Sequence, residues 1–369
     1  MIIAFRADAS LQIGTGHVMR CLTQADALAA RGAQCHFLCR AHEGNLIEFI
    51  RTKGYDVHAL PVAASTAVGQ SASDENAPAA PPHSHWLGAT QSEDAQACMP
   101  IIAALHPDWL IVDHYALDAR WERALKPHYR KLMVIDDLAD RCHDCNLLLD
   151  QTFGRAADDY RAWVPPHCQL LCGSRYALLR PEFAALRPYS LQRRTQPVLR
   201  QLLITMGGVD KDNATGRVLD ALRECPLPED CQIVVVMGHT APWLDAVRKQ
   251  AQTLPWPTEV LAGVSNMAQL MADCDLAIGA AGVTSWERCC LGVPTIMLVL
   301  AENQSAVAEG LKQAGAAWLI EKEGYILERL PVLLAQLLPP GPQLTAMSEA
   351  AGFIVDGRGV NSIVTLLES

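Results

Sequence analysis

The chain has 369 residues, half of them apolar and 19% charged, which suits two packed domains and lies far from a disordered composition. Its net charge of −10 argues against a general nucleic-acid coat or an anionic-membrane surface, and leaves room only for a local basic pocket that takes a small phosphorylated metabolite. Thirteen scattered cysteines, an odd number, argue against a disulfide framework and for reduced thiols in the cytoplasm.

The opening run Ile2 to Arg6 reads as an apolar strand, and no basic leader with a cleavage site stands around it. Gly14-Thr15-Gly16-His17-Val18-Met19-Arg20 then falls where the strand should give way to a helix. Glycines there let the backbone approach a phosphate, and a histidine is the side chain whose ordinary pKa lies nearest neutrality. A tight turn with an incidental histidine is the plain alternative, and His17 and Met19 stand where a dinucleotide fingerprint would need a further glycine. The helix runs from Val18 to Arg31 and stops before Gly32.

Strands follow at Gln34 to Cys39, Tyr55 to Leu60, Trp109 to Asp113, Lys131 to Asp136 and Leu147 to Asp150. Ala63 to Ser84, rich in Ala, Ser and Pro, reads as a surface loop. Asp113 and Asp136-Asp137 end short buried strands, where ligand crevices form. Asp8, Asp113, His114 and Asp136 are each candidates to support His17 or bind hydroxyls, or equally to serve as structural caps. Cys142-His143-Asp144-Cys145 contains a C-x-x-C without a second matching pair, so no metal site is expected. The basic, proline-bearing stretch Pro181 to Pro197 reads as a linker.

The second half repeats the rhythm, with strands at Gln201 to Met206, Gln232 to Met237, Thr258 to Leu261, Leu276 to Gly279 and Thr295 to Val299. Helices are expected at Asn213 to Glu224, Trp243 to Gln252, Met267 to Asp273, Ser285 to Leu291 and Gln304 to Ala314, with more in the remaining chain. The longest apolar runs, such as Ile296 to Ala301, are far shorter than the roughly 20 residues of a membrane span. The pattern predicts an α/β fold of two Rossmann-like, doubly wound domains, 1–185 and 186–369, facing an interdomain cleft, with the last helix able to pack back on the first.

Three segments of the second half suit a nucleotide. Gly207 and Gly208 follow a strand, with Asn213 opening a helix; paired glycines offer N–H groups to anionic oxygens, and an ordinary turn does the same without a ligand. In Gly279-Ala280-Ala281-Gly282-Val283-Thr284-Ser285-Trp286-Glu287, Gly282 permits close approach, Thr284 and Ser285 supply donors, and Glu287 suits a ribose diol. The alternative there is a capping arrangement. Asn303 and Gln304, after the next strand, offer amides to sugar hydroxyl or acetamido groups, or cap a helix.

These residues carry a resemblance to the GT-B architecture of nucleotide-sugar enzymes, and Gly279 to Gln304 resembles the UDP-binding region of the peptidoglycan N-acetylglucosaminyltransferases. Arg6 to Ser10, Ile13 to Leu22, Trp86 to Gly88, Val134 to Leu138 and Tyr176 to Phe183 together resemble the UDP-2,4-diacetamido-2,4,6-trideoxy-β-L-altropyranose hydrolase family of pseudaminic acid biosynthesis, over nearly the whole chain. The resemblance implies cleavage of the anomeric carbon–oxygen bond by water with inversion, releasing UDP, without a metal or other cofactor. His17 matches the family's general base. Arg6, Asp8, Gly14, Gly16, Arg20, Asp113 and Tyr176 would then shape the sugar side, and Gly207, Gly208, Asn213, Gly282, Thr284, Ser285, Glu287, Asn303 and Gln304 would hold the UDP-sugar. Transfer to a sugar acceptor and plain binding of a nucleotide sugar are the alternatives.

Overall fold

Short runs of β-branched and aliphatic residues, too brief for helices and continuous rather than alternating, are the pattern of strands covered on both faces. The computed structural model describes residues 1–62, 81–338 and 341–368, and these runs form two all-parallel sheets. The first contains β1 (Ile2–Ala7), β2 (Gln34–Arg40), β3 (Asp56–Leu60), β4 (Trp109–Asp113), β5 (Lys131–Ile135), β6 (Leu147–Asp150) and β7 (Gln169–Cys172), in the order 3-2-1-4-5-6-7. The second contains β8 (Gln201–Thr205), β9 (Gln232–Met237), β10 (Thr258–Ala262), β11 (Leu276–Ala280), β12 (Thr295–Leu298) and β13 (Ala317–Ile320), in the order 10-9-8-11-12-13. Strand order therefore reverses between β1 and β4 and again between β8 and β11, and at such switch points the strand ends open a crevice.

The chain divides into two compact units, one of Met1–Gln151, Arg155–Tyr176 and Asn361–Ser369, the other of Thr152–Gly154 and Ala177–Val360. In the first, one face packs Leu38, Leu110, Val112, Val134 and Leu148 against Cys98, Ile102 and Trp121 from the covering helices. In the second, Ile204, Ile233, Val235 and Ile278 meet Val218, Leu222 and Leu334 on one face, while Leu203, Val234 and Ala277 meet Met271, Trp286 and Leu311 on the other.

Two expectations are corrected. The stretch read as a linker is a helix, Pro181–Arg193, and its basic residues are tethers. Arg187 donates to the carbonyls of Cys290, Gly352 and Val355, and Arg194 donates to those of Met271, Ala272 and Cys274. That attachment belongs to the second unit, so the division falls after Tyr176 rather than after residue 185. Strands β7 and β13, four residues each, had no counterpart in the sequence reading. The loop expected at Ala63 to Ser84 lies outside the described residues through position 80.

Candidate active site

The helix Gly16–Ala29 begins after a turn in which the Gly14 N–H donates to the Ser10 carbonyl at 2.9 Å, and its N-cap Thr15 makes no side-chain capping bond. The second helical residue is His17. Because β1 lies beside β4, with Ala7 opposite Asp113, the helix start and the Asp113 carboxylate converge. His17 Nδ1 lies 2.6 Å from Asp113 Oδ1. Arg20, one turn along the helix, clamps the same carboxylate with Nε at 2.6 Å and Nη2 at 2.7 Å, and its Nη1 reaches Asp137 at 2.6 Å. The Tyr115 hydroxyl donates to Asp137 at 2.6 Å, while its ring stands edge-on to the imidazole with centroids 4.6 Å apart. Trp86 stacks on Tyr115 at 5.8 Å and lies 6.4 Å from His17.

Burial alone would raise the Asp113 carboxyl, but the Arg20 guanidinium and His17 hold it well below the usual carboxylate range. An ionised carboxylate at Nδ1 selects the tautomer with its proton on that nitrogen and leaves Nε2 as an acceptor. His17 keeps 8% of its surface exposed, whereas Asp113 and Arg20 are buried. The arrangement holds the imidazole in one orientation.

Other residues expected on the sugar side are turned inward, and this corrects the sequence reading. Arg6 and Asp8 are each 0% exposed. Arg6 pairs with Asp8 at 2.6 Å and with Asp94 at 2.7 Å, and Asp8 also accepts the Arg40 N–H at 2.6 Å. Their charges are satisfied within the protein, so they brace the ends of β1 and β2 instead of facing a ligand. Among the other candidate supports for His17, His114 has Nε2 3.2 Å from Asp8 Oδ2, and Asp136 accepts the Tyr160 hydroxyl at 2.8 Å and pairs with Arg141. Tyr176 is half-buried in the turn Ser174–Tyr176, with Arg175 over its ring. Cys142 is exposed while Cys145 is buried against Cys168, their sulfurs 3.5 Å apart.

In the second unit, β8 ends at Thr205, and Gly207 takes φ +91°, a left-handed conformation that favours glycine. The Gly208 carbonyl packs so closely on Gly238 that a Cβ there would lie 2.0 Å from it. Asn213 caps the helix that the sequence already offered it to cap: its side-chain oxygen accepts the Gly216 N–H at 3.1 Å, while Asp210 takes those of Ala214 and Thr215. After β11, the space around Gly282 is open, and Thr284 begins the helix Thr284–Cys290. Ser285 is also corrected, because its side chain is fully buried and 3.2 Å from Arg288 Nη2, so only its neighbours can meet a ligand. Asn303 is exposed, whereas the Gln304 side-chain oxygen accepts the Leu300 N–H at 2.9 Å.

Glu287 keeps part of its surface open, yet burial pushes its carboxyl up to about 7, with Arg180 and Arg288 pulling it down and Glu182 adding to the rise. A carboxyl raised in the folded state loses stability as pH climbs from its unfolded value of 4.5 through 7, because the unfolded chain ionises more readily. The gain in melting temperature of Glu287→Gln over the parent chain should therefore grow from pH 5 to pH 8; a constant difference across that range would show that no such shift exists.

Sequence reasoning missed Tyr115, Asp137 and Arg288. Asp137 carried a signal as the second acid at a strand end. Arg288 carried a weaker one, as the cation next to Glu287 and two cysteines in Trp286-Glu287-Arg288-Cys289-Cys290.

Residues 202–362 match the glycosyltransferase family 28 C-terminal domain. Over 329 residues, 89% of this chain and 99% of the relative, the chain is 26% identical to the UDP-2,4-diacetamido-2,4,6-trideoxy-β-L-altropyranose hydrolase of Campylobacter jejuni. It is 28% identical over 215 residues to the spore coat polysaccharide biosynthesis protein SpsG of Bacillus subtilis, which covers 56% of this chain and 60% of that protein. The structure resembles that of MurG from Acinetobacter baumannii with a TM-score of 0.67 and 16% identity, covering 100% of this chain and 99% of the other. The chain thus has a GT-B fold of two Rossmann-like units, and its second unit matches the glycosyltransferase family 28 C-terminal domain.

Proposed function

We propose that the chain hydrolyses UDP-2,4-diacetamido-2,4,6-trideoxy-β-L-altropyranose to UDP and the free sugar, with His17 as general base. The observation that carries this reading is the 2.6 Å contact of His17 Nδ1 with an Asp113 carboxylate that Arg20 already clamps. Water is a poor nucleophile until it loses a proton, and Nε2 accepts that proton as the oxygen attacks the anomeric carbon. The bond from that carbon to the diphosphate oxygen breaks on the opposite face, so configuration inverts. The electron pair leaves with UDP, whose charge is already spread over the diphosphate, so the second carboxylic acid that simple glycosides require is dispensable. Asp113 keeps the imidazole oriented and offsets the positive charge it acquires.

The nucleotide role of the second unit is supported by its strand-end loops at Gly207 and Gly282 and by Glu287, whose position in the first turn after β11 suits a ribose diol. The choice of sugar and of water as acceptor is supported by the similarity to the Campylobacter hydrolase along almost its full length. The family 28 match over 202–362 favours a second reading, transfer of the sugar to another sugar.

Incubation with the UDP-sugar in ¹⁸O-labelled water, with no acceptor present, separates the readings. Hydrolysis puts the label in the sugar, and the first product seen by NMR has the inverted anomeric configuration. UDP release that waits for an added acceptor would instead establish transfer, and calorimetric UDP binding without turnover at any pH would establish a binding protein.

A further inference from the structure

Arg288 is a buried cation at the switch point of the second sheet, with no carboxylate oxygen within ion-pairing distance among the described residues. Its guanidinium folds back from the helix Thr284–Cys290 to the end of β11, with Nη2 2.7 Å from the Ala280 carbonyl and 3.2 Å from Ser285 Oγ, and Nη1 3.2 Å from Thr284 Oγ1. A Cβ on Gly279 would lie 2.6 Å from Nη1 and 3.0 Å from the Thr205 carbonyl. The missing side chain at Gly279 therefore makes room for the guanidinium between the ends of β8 and β11.

The other deeply buried arginines show what is unusual here. Arg6, Arg20, Arg40 and Arg141 each have a carboxylate oxygen within 2.8 Å. Arg194 has none but is surrounded by the carbonyls of Ser190, Met271, Ala272 and Cys274. Arg288, 1% exposed, has one carbonyl and two hydroxyls, and no carboxylate oxygen lies within 4.0 Å among the described residues, Glu287 acting on it only from farther away; its Nε, like those of Arg40 and Arg194, has no hydrogen-bond partner. Burial pulls its guanidinium down to about 10, so it stays charged at neutral pH. A buried charge with no carboxylate in contact is unfavourable, and a bound anion that supplies the missing charge relieves it.

We infer that Arg288 is the internal counter-cation for the diphosphate of the nucleotide, a positioning residue that orients the Thr284 hydroxyl and gives the loop after β11 its positive potential. This rests on the nucleotide reading of the second unit. In α/β sheets, ligands meet the protein at the carboxyl ends of strands flanking the switch point. A cation fixed there before binding strengthens attraction for a diphosphate and leaves a neutral nucleoside nearly indifferent.

Calorimetry with UDP and with uridine, on the full chain and its Arg288→Lys, Arg288→Gln and Arg288→Met variants, tests this. Removal of the charge in Arg288→Gln should weaken UDP binding roughly 10- to 100-fold with little change for uridine, and Arg288→Lys should recover most of the loss. If Arg288→Gln does not fold, Arg288→Met, which fills similar volume without a buried polar group, takes its place. Equal losses for UDP and uridine, or no loss for UDP, would overturn the inference while leaving the nucleotide site standing. A parent chain that binds neither ligand would instead remove the nucleotide reading and this inference with it.

Discussion

The His17→Ala variant should release UDP from the sugar nucleotide roughly 10²- to 10⁴-fold more slowly at saturation, while its affinity for UDP stays that of the parent chain. The asymmetry follows from the division of roles: the imidazole belongs to the first unit, and the proposed nucleotide contacts belong to the second. Asp113→Asn gives a complementary test. An amide in place of the carboxylate no longer enforces the tautomer that leaves Nε2 free, and the loss should approach that of His17→Ala, as expected when base and orienter act as one unit. Because Asp113 also binds Arg20 through two bonds, this variant must be shown to be folded by circular dichroism before its rate is compared. An undiminished kcat in folded His17→Ala would exclude the proposed base.

Asp94→Ala should be among the most damaging substitutions for stability, lowering it by about 3–5 kcal/mol, because it removes the carboxylate partner of buried Arg40 and leaves buried Arg6 with Asp8 alone. Asp94 accepts from Arg6 at 2.7 Å, from Arg40 at 2.5 Å and from Trp121 Nε1 at 2.9 Å, with all four side chains buried. Burial would raise its carboxyl, but the two arginines hold it down at about 2. The contribution is therefore present above the ordinary value of 3.8 and is lost as pH falls through 2. Denaturant unfolding at pH 7 measures the cost, and Asp94→Asn, which keeps the shape and part of the bonding, should lose less. A midpoint unchanged in Asp94→Ala would mean that water or another anion satisfies Arg6 and Arg40.

Much of the architecture is legible in the sequence because parallel strands covered on both faces read as unbroken apolar runs. Trp109–Asp113, Leu147–Asp150 and Gln232–Met237 have the bounds the sequence indicates. The candidate site is legible in type more than in partnership. Asp8, Asp113, His114 and Asp136 all sit at strand ends and were equivalent candidates to support His17, and the adjacency of β1 and β4 selects Asp113. Arg6 and Asp8 were placed on the sugar side by the family resemblance of Arg6 to Ser10. A charged pair at a strand end announces a crevice until a carboxylate 88 positions away takes up the arginine. Such long-range pairing leaves no local trace, so burial of a charge cannot be foreseen from its neighbours in sequence.

The membership of Asn361–Ser369 in the first unit makes that unit discontinuous. Its closing helix buries Ile363, Val364 and Leu367, and it is fastened by Trp109 Nε1 donating to the Leu367 carbonyl at 2.9 Å and by Arg31 pairing with Glu368 at 2.7 Å. In chain order the main segment of the second unit, Ala177–Val360, is therefore an insertion that returns the chain to its host, and Thr152–Gly154 joins it from upstream. Excision of residues 177–360 would leave Thr152–Gly154 without the unit it belongs to, and a fragment ending at Tyr176 would leave uncovered the apolar surface that its own last helix occupies.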